Sequence, residues 1–141
     1  MIKFIPGFKH KYGELNMLEE KILNRYSEYI KVFVYGTLKQ NYSNNKIIAD
    51  IGKFIKSCRT DNKFKMFITS MGYPGIDYGD FDYIKGEIWG IKKSDLYILD
   101  EFEGFPDFYH RNKIKIDNEY VECYFITETH NNEFLINEYK E

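Results

Sequence analysis

Lys31-Val32-Phe33-Val34-Tyr35-Gly36-Thr37-Leu38 is a run of β-branched and aromatic residues stopped by a glycine. It predicts a buried strand over 31–35 followed by a tight turn. Upstream, Leu15, Leu18, Ile22, Tyr26 and Ile30 recur at three- or four-residue spacing with Glu19, Glu20 and Glu28 turned away, and Asn16 with Glu19 resembles a capping box. That pattern predicts an amphipathic helix of about four turns over 16–30. Residues 1–13, with Pro6, Gly7 and Gly13, read as an irregular lead-in.

Downstream, the polar cluster 40–45 initiates a second helix in which Ile47, Ile48, Ile51 and Phe54 face inward, stopping near Gly52. Residues 64–68 alternate like a half-buried strand, 71–75 (Met-Gly-Tyr-Pro-Gly) carry turn punctuation, and 77–83 form an acidic, aromatic loop. Residues 84–91 read as a strand whose Gly86 and Gly90 mark a bulge or the close approach of another backbone. Ser94 suits the N-cap of a helix over 95–102, with Leu96, Leu99 and Phe102 buried, Gly104 as its C′ residue and Pro106 forbidding continuation. Period-two alternation in 113–116 and 120–126 around Asp117-Asn118-Glu119 predicts a β-hairpin. Beyond Thr127 a polar tail follows, with room for one helical turn.

These elements divide the chain into an N-terminal extension (1–30) with the amphipathic helix, one domain (31–126) and a C-terminal tail (127–141). Strands interspersed with helices, without a strict βαβ repeat, predict an α+β fold: a mixed, largely antiparallel, barrel-like sheet with flanking helices.

Composition narrows the function. The 141 residues include 13 Tyr and 12 Phe but a single Ala, so the interior is filled by rings and Ile. With 20 basic against 22 acidic side chains, the net charge of −2 offers no general attraction to nucleic acid or anionic membranes. No apolar stretch approaches the roughly 18–20 residues that span a bilayer, and 1–13 lack the apolar core of a secretory signal. A soluble, cytoplasmic protein is the expectation. Cys58 and Cys123 sit in no CxxC pair and read as free, part-buried thiols, and His10, His110 and His130 show no metal-ligand spacing.

The chemistry concentrates in residues 99–111, where Asp100, Glu101 and Glu103 stand beside Phe102, Phe105, Phe108 and Tyr109. Glu103 falls at the C-terminal end of a predicted helix, where the macrodipole disfavours negative charge, and Phe102, Phe105 and Phe108 are placed to limit its water. Both effects raise its pKa toward the range of a general base and acid near neutral pH. Asp100, three residues earlier on nearly the same face, competes for that role or adds like-charge pressure. The 35–38 turn is ordinary alone, but such a loop presents several backbone N–H groups together, a nest for a carboxylate or an oxyanion, and Gly36 permits close approach.

The series Val34-Tyr35-Gly36-Thr37-Leu38-Lys39, Ser43-Asn44, Tyr73-Pro74-Gly75, Gly86-Glu87-Ile88, Leu99-Asp100 with Phe102-Glu103-Gly104-Phe105-Pro106, and Tyr109-His110-Arg111 resembles the ordered motifs of the γ-glutamylcyclotransferase-like family. The resemblance spans residues 31–126, and its Tyr-Gly-Thr-Leu form is most similar to the γ-glutamylamine cyclotransferase branch. It implies a cofactor- and metal-independent enzyme whose small γ-glutamyl substrate attacks its own γ-carbonyl with its α-amine, releasing 5-oxoproline and an amine. It places the catalytic carboxyl on Glu103, the substrate-binding turn on Tyr35, Gly36, Thr37 and Leu38, and an aromatic pocket position on Tyr109; Arg111 is a looser candidate beside the pocket with a structural role as its other reading, and Asp100 falls at an acidic position read as structural. Two departures stand out. The N-terminal helix precedes the usual start of this branch and is a candidate for covering the barrel, capping the pocket or pairing subunits. Asn45 replaces the His that many relatives carry after Ser-Asn, at the expected rim of the site. A non-catalytic relative, holding a small ligand in the pocket or a partner protein on the extra helix, is the alternative reading.

Overall fold

Alternate side chains of the 32–35 segment enter two different cores, which makes this strand the centre of the molecule. Phe33 and Tyr35 join one apolar cluster, while Val32 and Val34 join another. A strand buried on both faces reads as a continuous apolar run, which is why its sequence signal is strong. The computed structural model describes residues 29–105, 107–127 and 134–141. Its strands are β1 (Tyr29–Val34), β2 (Gly52–Ile68), β3 (Pro74–Tyr78), β4 (Asp82–Lys92), β5 (Tyr109–Ile116) and β6 (Glu119–Ile126). Two helices, α1 (Asn45–Ala49) and α2 (Leu96–Glu103), complete an α+β fold.

The strands form one sheet in the order β3-β2-β4-β1-β6-β5. Every pairing is antiparallel except β1 with β6, where Val32 and Phe33 lie opposite Glu122 and Cys123 in parallel. The sheet curls until its ends meet through side chains: Tyr109 Oη on β5 donates to the Pro74 carbonyl on β3 at 2.8 Å, and Asn112 Nδ2 donates to Tyr78 Oη at 3.0 Å. The concave interior holds Phe33, Tyr35, Met66, Ile76, Ile88 and Phe125, whereas Trp89, Ile91 and Tyr124 pack on the other face against Ile48 of α1 and Leu99 of α2.

Several boundaries differ from the sequence expectation. The helix expected over 16–30 lies outside the described residues, except that Tyr29 and Ile30 belong to β1. The second helix shrinks to five residues; Ile48 is buried and Ile47 and Ile51 pack beside it, but Phe54 sits in β2 with its ring edge-on to Trp89. Residues 52–63, read as helix end and connection, form the first half of β2, and most of them are exposed, so they show no alternation to read. Bulges fall on β2, between Phe54 and Lys56 and between Arg59 and Lys63, and not at the β4 glycines.

Pro74 and Gly75 start β3 rather than ending a turn, a tolerated place for proline at the first residue of an edge strand. The turn itself is 69–73, with Gly72 at φ +87°. Ser94 lies in a 3-10 turn (Lys93–Asp95) ahead of α2, whose Phe102 is 37% exposed rather than buried. The predicted hairpin is present, turned by Asp117 and Asn118, both at positive φ as a two-residue connection of the primed type requires. The Asp61 carboxylate accepts both their N–H groups.

Residues 134–141 run extended along the domain and include no helical turn. Ile136 bridges Met66, Lys85 N–H donates to the Asn137 carbonyl, and Lys39 Nζ donates to the Tyr139 carbonyl at 2.8 Å. Cys123 is buried and Cys58 half-buried, both as free thiols.

The two β4 glycines differ in a way that stability measurements resolve. A Cβ on Gly86 would meet the Val34 carbonyl oxygen and the Phe33 ring, the latter at 2.6 Å, while one on Gly90 would meet nothing nearer than Ile55 at 3.5 Å. Gly86→Ala is expected to lower unfolding free energy by about 1–3 kcal/mol. Gly90→Ala should change it by less than about 1 kcal/mol. Equal denaturation midpoints for the two variants would refute the close-approach account of Gly86.

Candidate active site

The 35–38 turn leaves the end of β1 and is riveted from behind. Asn44 N–H donates to the Thr37 carbonyl at 3.0 Å, Asn44 Nδ2 to Thr37 Oγ1 at 3.0 Å, and Asn45 Nδ2 to the Leu38 carbonyl at 2.8 Å. Asn45 therefore supports the turn and is absent from the cavity lining, a correction to its expected place at the rim. Among the described residues the N–H groups of Gly36, Thr37 and Leu38 have no hydrogen-bond partner. Gly36 is glycine for a contact reason: a Cβ there would meet the Pro74 ring at 2.8 Å.

Helix α2 delivers the acid. Gly104 takes φ +67°, its N–H donates to the Glu101 carbonyl at 3.1 Å, and Phe105 N–H donates to the Asp100 carbonyl at 2.9 Å. This is the paired bonding of a Schellman cap, and it fixes Glu103 as the last helical residue. Glu103 and the turn share one cavity of about 160 Å³, whose wall also includes Phe33, Tyr73, Pro74, Phe102, Tyr109 and Tyr124. All six residues singled out from the sequence, Tyr35, Gly36, Thr37, Leu38, Glu103 and Tyr109, line it.

The electrostatics separate Asp100 from Glu103 on α2. Burial first, and then the neighbouring Asp100 charge, push the Glu103 carboxyl up to about 8. The rings responsible differ in part from those expected: Phe105 and Phe108 are exposed, Phe108 by 59%, and the cavity wall comes largely from other strands. Asp100 instead accepts from Arg111 Nε at 2.7 Å, Arg111 Nη2 at 3.3 Å and Tyr124 Oη at 2.5 Å. Arg111 also donates to Glu122 at 3.2 Å, lies over the Phe105 ring and is absent from the cavity lining. Tyr109 is pushed above the ordinary phenol value by burial and then by Glu103, so it stays protonated while donating to Pro74.

Tyr35 contributes its ring to the cavity, but its hydroxyl is committed elsewhere, donating to the Tyr124 carbonyl at 2.7 Å and accepting from Ile76 N–H at 3.2 Å. Sequence reasoning did not single out Phe33, Tyr73, Pro74 or Tyr124 as site residues, although the Tyr73-Pro74-Gly75 motif was a signal for two of them, and it placed Phe102 only as a ring beside Glu103. No group of three His, Cys, Asp or Glu side chains among the described residues could hold a metal ion.

Because Glu103 keeps its proton to about pH 8 in the fold and loses it near 4.5 when unfolded, the native state binds more protons between those values. Its contribution to stability therefore falls as pH rises through that window. Glu103→Gln removes the loss, so its melting temperature should match wild type near pH 4.5 and exceed it by on the order of 5 °C at pH 9. Asp100→Asn should lower the Glu103 pKa, read from its carboxyl carbon by NMR; an unchanged titration would contradict the assigned like-charge contribution.

Comparison with known proteins agrees with this geometry. A family model described as gamma-glutamyl cyclotransferase, AIG2-like, matches residues 32–140. A protein of Methanocaldococcus jannaschii is 32% identical over 85 residues, covering 60% of this chain and 70% of its own length. Gamma-glutamylaminecyclotransferase A of Danio rerio is 36% identical over 94 residues, covering 62% of this chain and 58% of that protein. The solved structure of an AIG2-like protein from Mus musculus superposes with a TM-score of 0.69 at 24% identity, over 80% of this chain and 89% of that one. On the extent of these matches, the chain belongs to the gamma-glutamyl cyclotransferase, AIG2-like family.

Proposed function

We propose that this protein is a cyclotransferase that converts a γ-glutamyl amine or γ-glutamyl peptide to 5-oxoproline and a free amine, with Glu103 as its proton shuttle. The observation that carries the reading is a carboxyl held near neutral pKa in the same cavity as a turn of unpartnered backbone donors. In this reading the γ-glutamyl group folds against the 35–38 turn, and the ionised Glu103 takes a proton from the substrate's α-ammonium. The freed amine attacks the γ-carbonyl carbon, closing the five-membered ring. Glu103 then gives its proton to the nitrogen on the other side of that carbon, and the original C–N bond breaks. In total two protons pass from the α-nitrogen to the departing nitrogen, and no water is consumed.

A single carboxyl with a pKa near the working pH suits both directions of transfer. The N–H groups of Gly36, Thr37 and Leu38 serve the α-carboxylate or the oxygen that gains charge during attack. Because the reaction is intramolecular, positioning supplies much of the rate, on the order of 7 kcal/mol or more in favourable cases. Partial burial of Glu103 on the cavity wall supports this role; an exposed carboxylate at its ordinary pKa would be a weak base at pH 7.

The test is direct. Incubated with γ-glutamyl amines and dipeptides, wild type should form 5-oxoproline detectable by mass spectrometry, with kcat/KM rising up to about pH 8 as Glu103 ionises. Glu103→Gln should lower kcat by roughly 10²–10⁴ with its fold intact by circular dichroism. Full activity in Glu103→Gln, or no 5-oxoproline from any conjugate, would falsify the assignment.

A further inference from the structure

Of the Gly86-Glu87-Ile88 motif on β4, Gly86 admits the Val34 carbonyl and Ile88 joins the concave core. Glu87 is the odd member, a carboxyl only 8% exposed on a strand with neighbours on both sides. Such a group is costly to bury unless hydrogen bonds replace its water. Its Oε1 accepts two, from the Gln40 N–H at 2.9 Å and from the Trp89 indole N–H at 3.1 Å. Among the described residues no cation pairs with it, and the Lys39 ammonium beside Gln40 donates to the Tyr139 carbonyl.

We propose that Glu87 is a positioning residue of the candidate active site: through the Gln40 N–H it sets where the chain leaves the 35–38 turn, and so places that turn for the glutamyl end of the substrate. The proposal rests on the cyclotransferase reading and adds to it a residue that lies outside the cavity wall. Strand register supports it. Glu87 stands opposite Val34, the last residue of β1, and opposite Ser57 of β2 on its other side. Two ladders therefore fix its backbone where the chain enters the turn, while its side chain reaches the amide where the chain leaves. One residue sets both ends of the segment that carries the unpartnered N–H groups of Gly36, Thr37 and Leu38.

The other supports of the turn act elsewhere. Asn44 and Asn45 hold the Thr37 and Leu38 carbonyls, and the Gly36 carbonyl accepts from Lys39 N–H at 3.1 Å. Immediately beyond Gln40 the chain bends through Asn41 at φ +68°, a left-handed value that Asn tolerates without preferring it, so an acceptor at Gln40 helps hold its course. Because both bonds fall on Oε1, a glutamine at 87 can satisfy them with its single carbonyl oxygen, whereas an alanine leaves two inward N–H groups without their acceptor. Trp89 separates positioning from packing. Its ring joins Leu38 in the outer apolar cluster, and a phenylalanine there deletes the indole bond while keeping the one to Gln40.

Steady-state kinetics on a γ-glutamyl amine or dipeptide that wild type converts test the assignment. Glu87→Ala should raise KM by about 10-fold with kcat held within about 3-fold, the scale of a lost hydrogen bond behind a surface that binds substrate equally before and during reaction. Its kcat/KM should keep the wild-type pH midpoint, because Glu103 is untouched. Glu87→Gln should return KM to within about 2-fold of wild type, and Trp89→Phe should stay within about 3-fold, since each keeps the acceptor for Gln40. A wild-type KM in Glu87→Ala overturns the positioning role and leaves the cyclotransferase reading standing. So does a Glu87→Gln or a Trp89→Phe as impaired as Glu87→Ala, the latter result assigning Glu87 to core packing alone. Should Glu87→Ala not fold, amide hydrogen exchange decides: a Gln40 N–H protected in wild type and in Glu87→Gln, with KM unchanged between them, upholds the role, and rapid Gln40 exchange in wild type overturns it. Absence of 5-oxoproline from every conjugate offered to wild type overturns both readings.

Discussion

The hydroxyl of Tyr35 is buried where three strands meet, donating to the Tyr124 carbonyl of β6 and accepting from the Ile76 N–H of β3. β3 and β6 are not neighbours in the sheet order, so this one oxygen joins parts of the sheet that backbone ladders leave apart. Leaving any of these groups unpaired in such an interior would cost about 1–3 kcal/mol, so the three hold one another in place. The effect on the site is immediate because Tyr35 is the first residue of the turn. Its side chain anchors the sheet while its backbone begins the turn whose Gly36, Thr37 and Leu38 N–H groups have no hydrogen-bond partner among the described residues. Tyr109 repeats the device across the same gap, and the Pro74 that it bonds is the residue that presses on Gly36.

Within that frame, α2 carries two carboxyls one turn apart with opposite surroundings. Asp100 receives hydrogen bonds from a guanidinium and a phenol. Glu103 receives none among the described residues, lies on a wall of rings, and feels the charge of Asp100. The first holds the helix to β5 and β6, and the second is left on the cavity wall without a donor. Arg111 is what makes the arrangement tolerable, since its cation balances Asp100 and Glu122 without itself entering the cavity.

What the sequence made legible was local. Gly104 and the Asp117-Asn118 turn act through their own φ values, and the β1 run through burial on both faces, so each could be read from a few residues. The first half of β2 could not, because its side chains are largely exposed and no periodicity survives. The raised pKa of Glu103 was anticipated with a partly wrong cause: Phe105 and Phe108 are neighbours in sequence but face solvent, and the desolvating walls come from β1, β5 and β6. The pairing of Asp100 with Arg111 crosses the α2–β5 connection and depends on how strands stack. The family was legible from the order of motifs, and not from any property of Glu103 alone.

The turn is also held from its far side by residues that the sequence presented as a tail. Lys39, nearly buried at the end of the turn, gives its ammonium to the Tyr139 carbonyl and lies over the Tyr42 ring, and burial holds its pKa below the usual lysine value. Ser43 donates through both its N–H and its hydroxyl to Glu141, close to the Asn44 and Asn45 side chains that grip Thr37 and Leu38. A turn that keeps three N–H groups unpartnered cannot be stabilised through those groups, so its support must come from its carbonyls and from flanking side chains. The Asn44 and Asn45 bonds supply the first kind of support, and the Lys39 and Ser43 contacts to 139–141 supply the second. Donors left unpartnered on the turn are thus matched by hydrogen-bond saturation of its carbonyls and flanking side chains, which holds the turn open without drawing those donors onto their own chain.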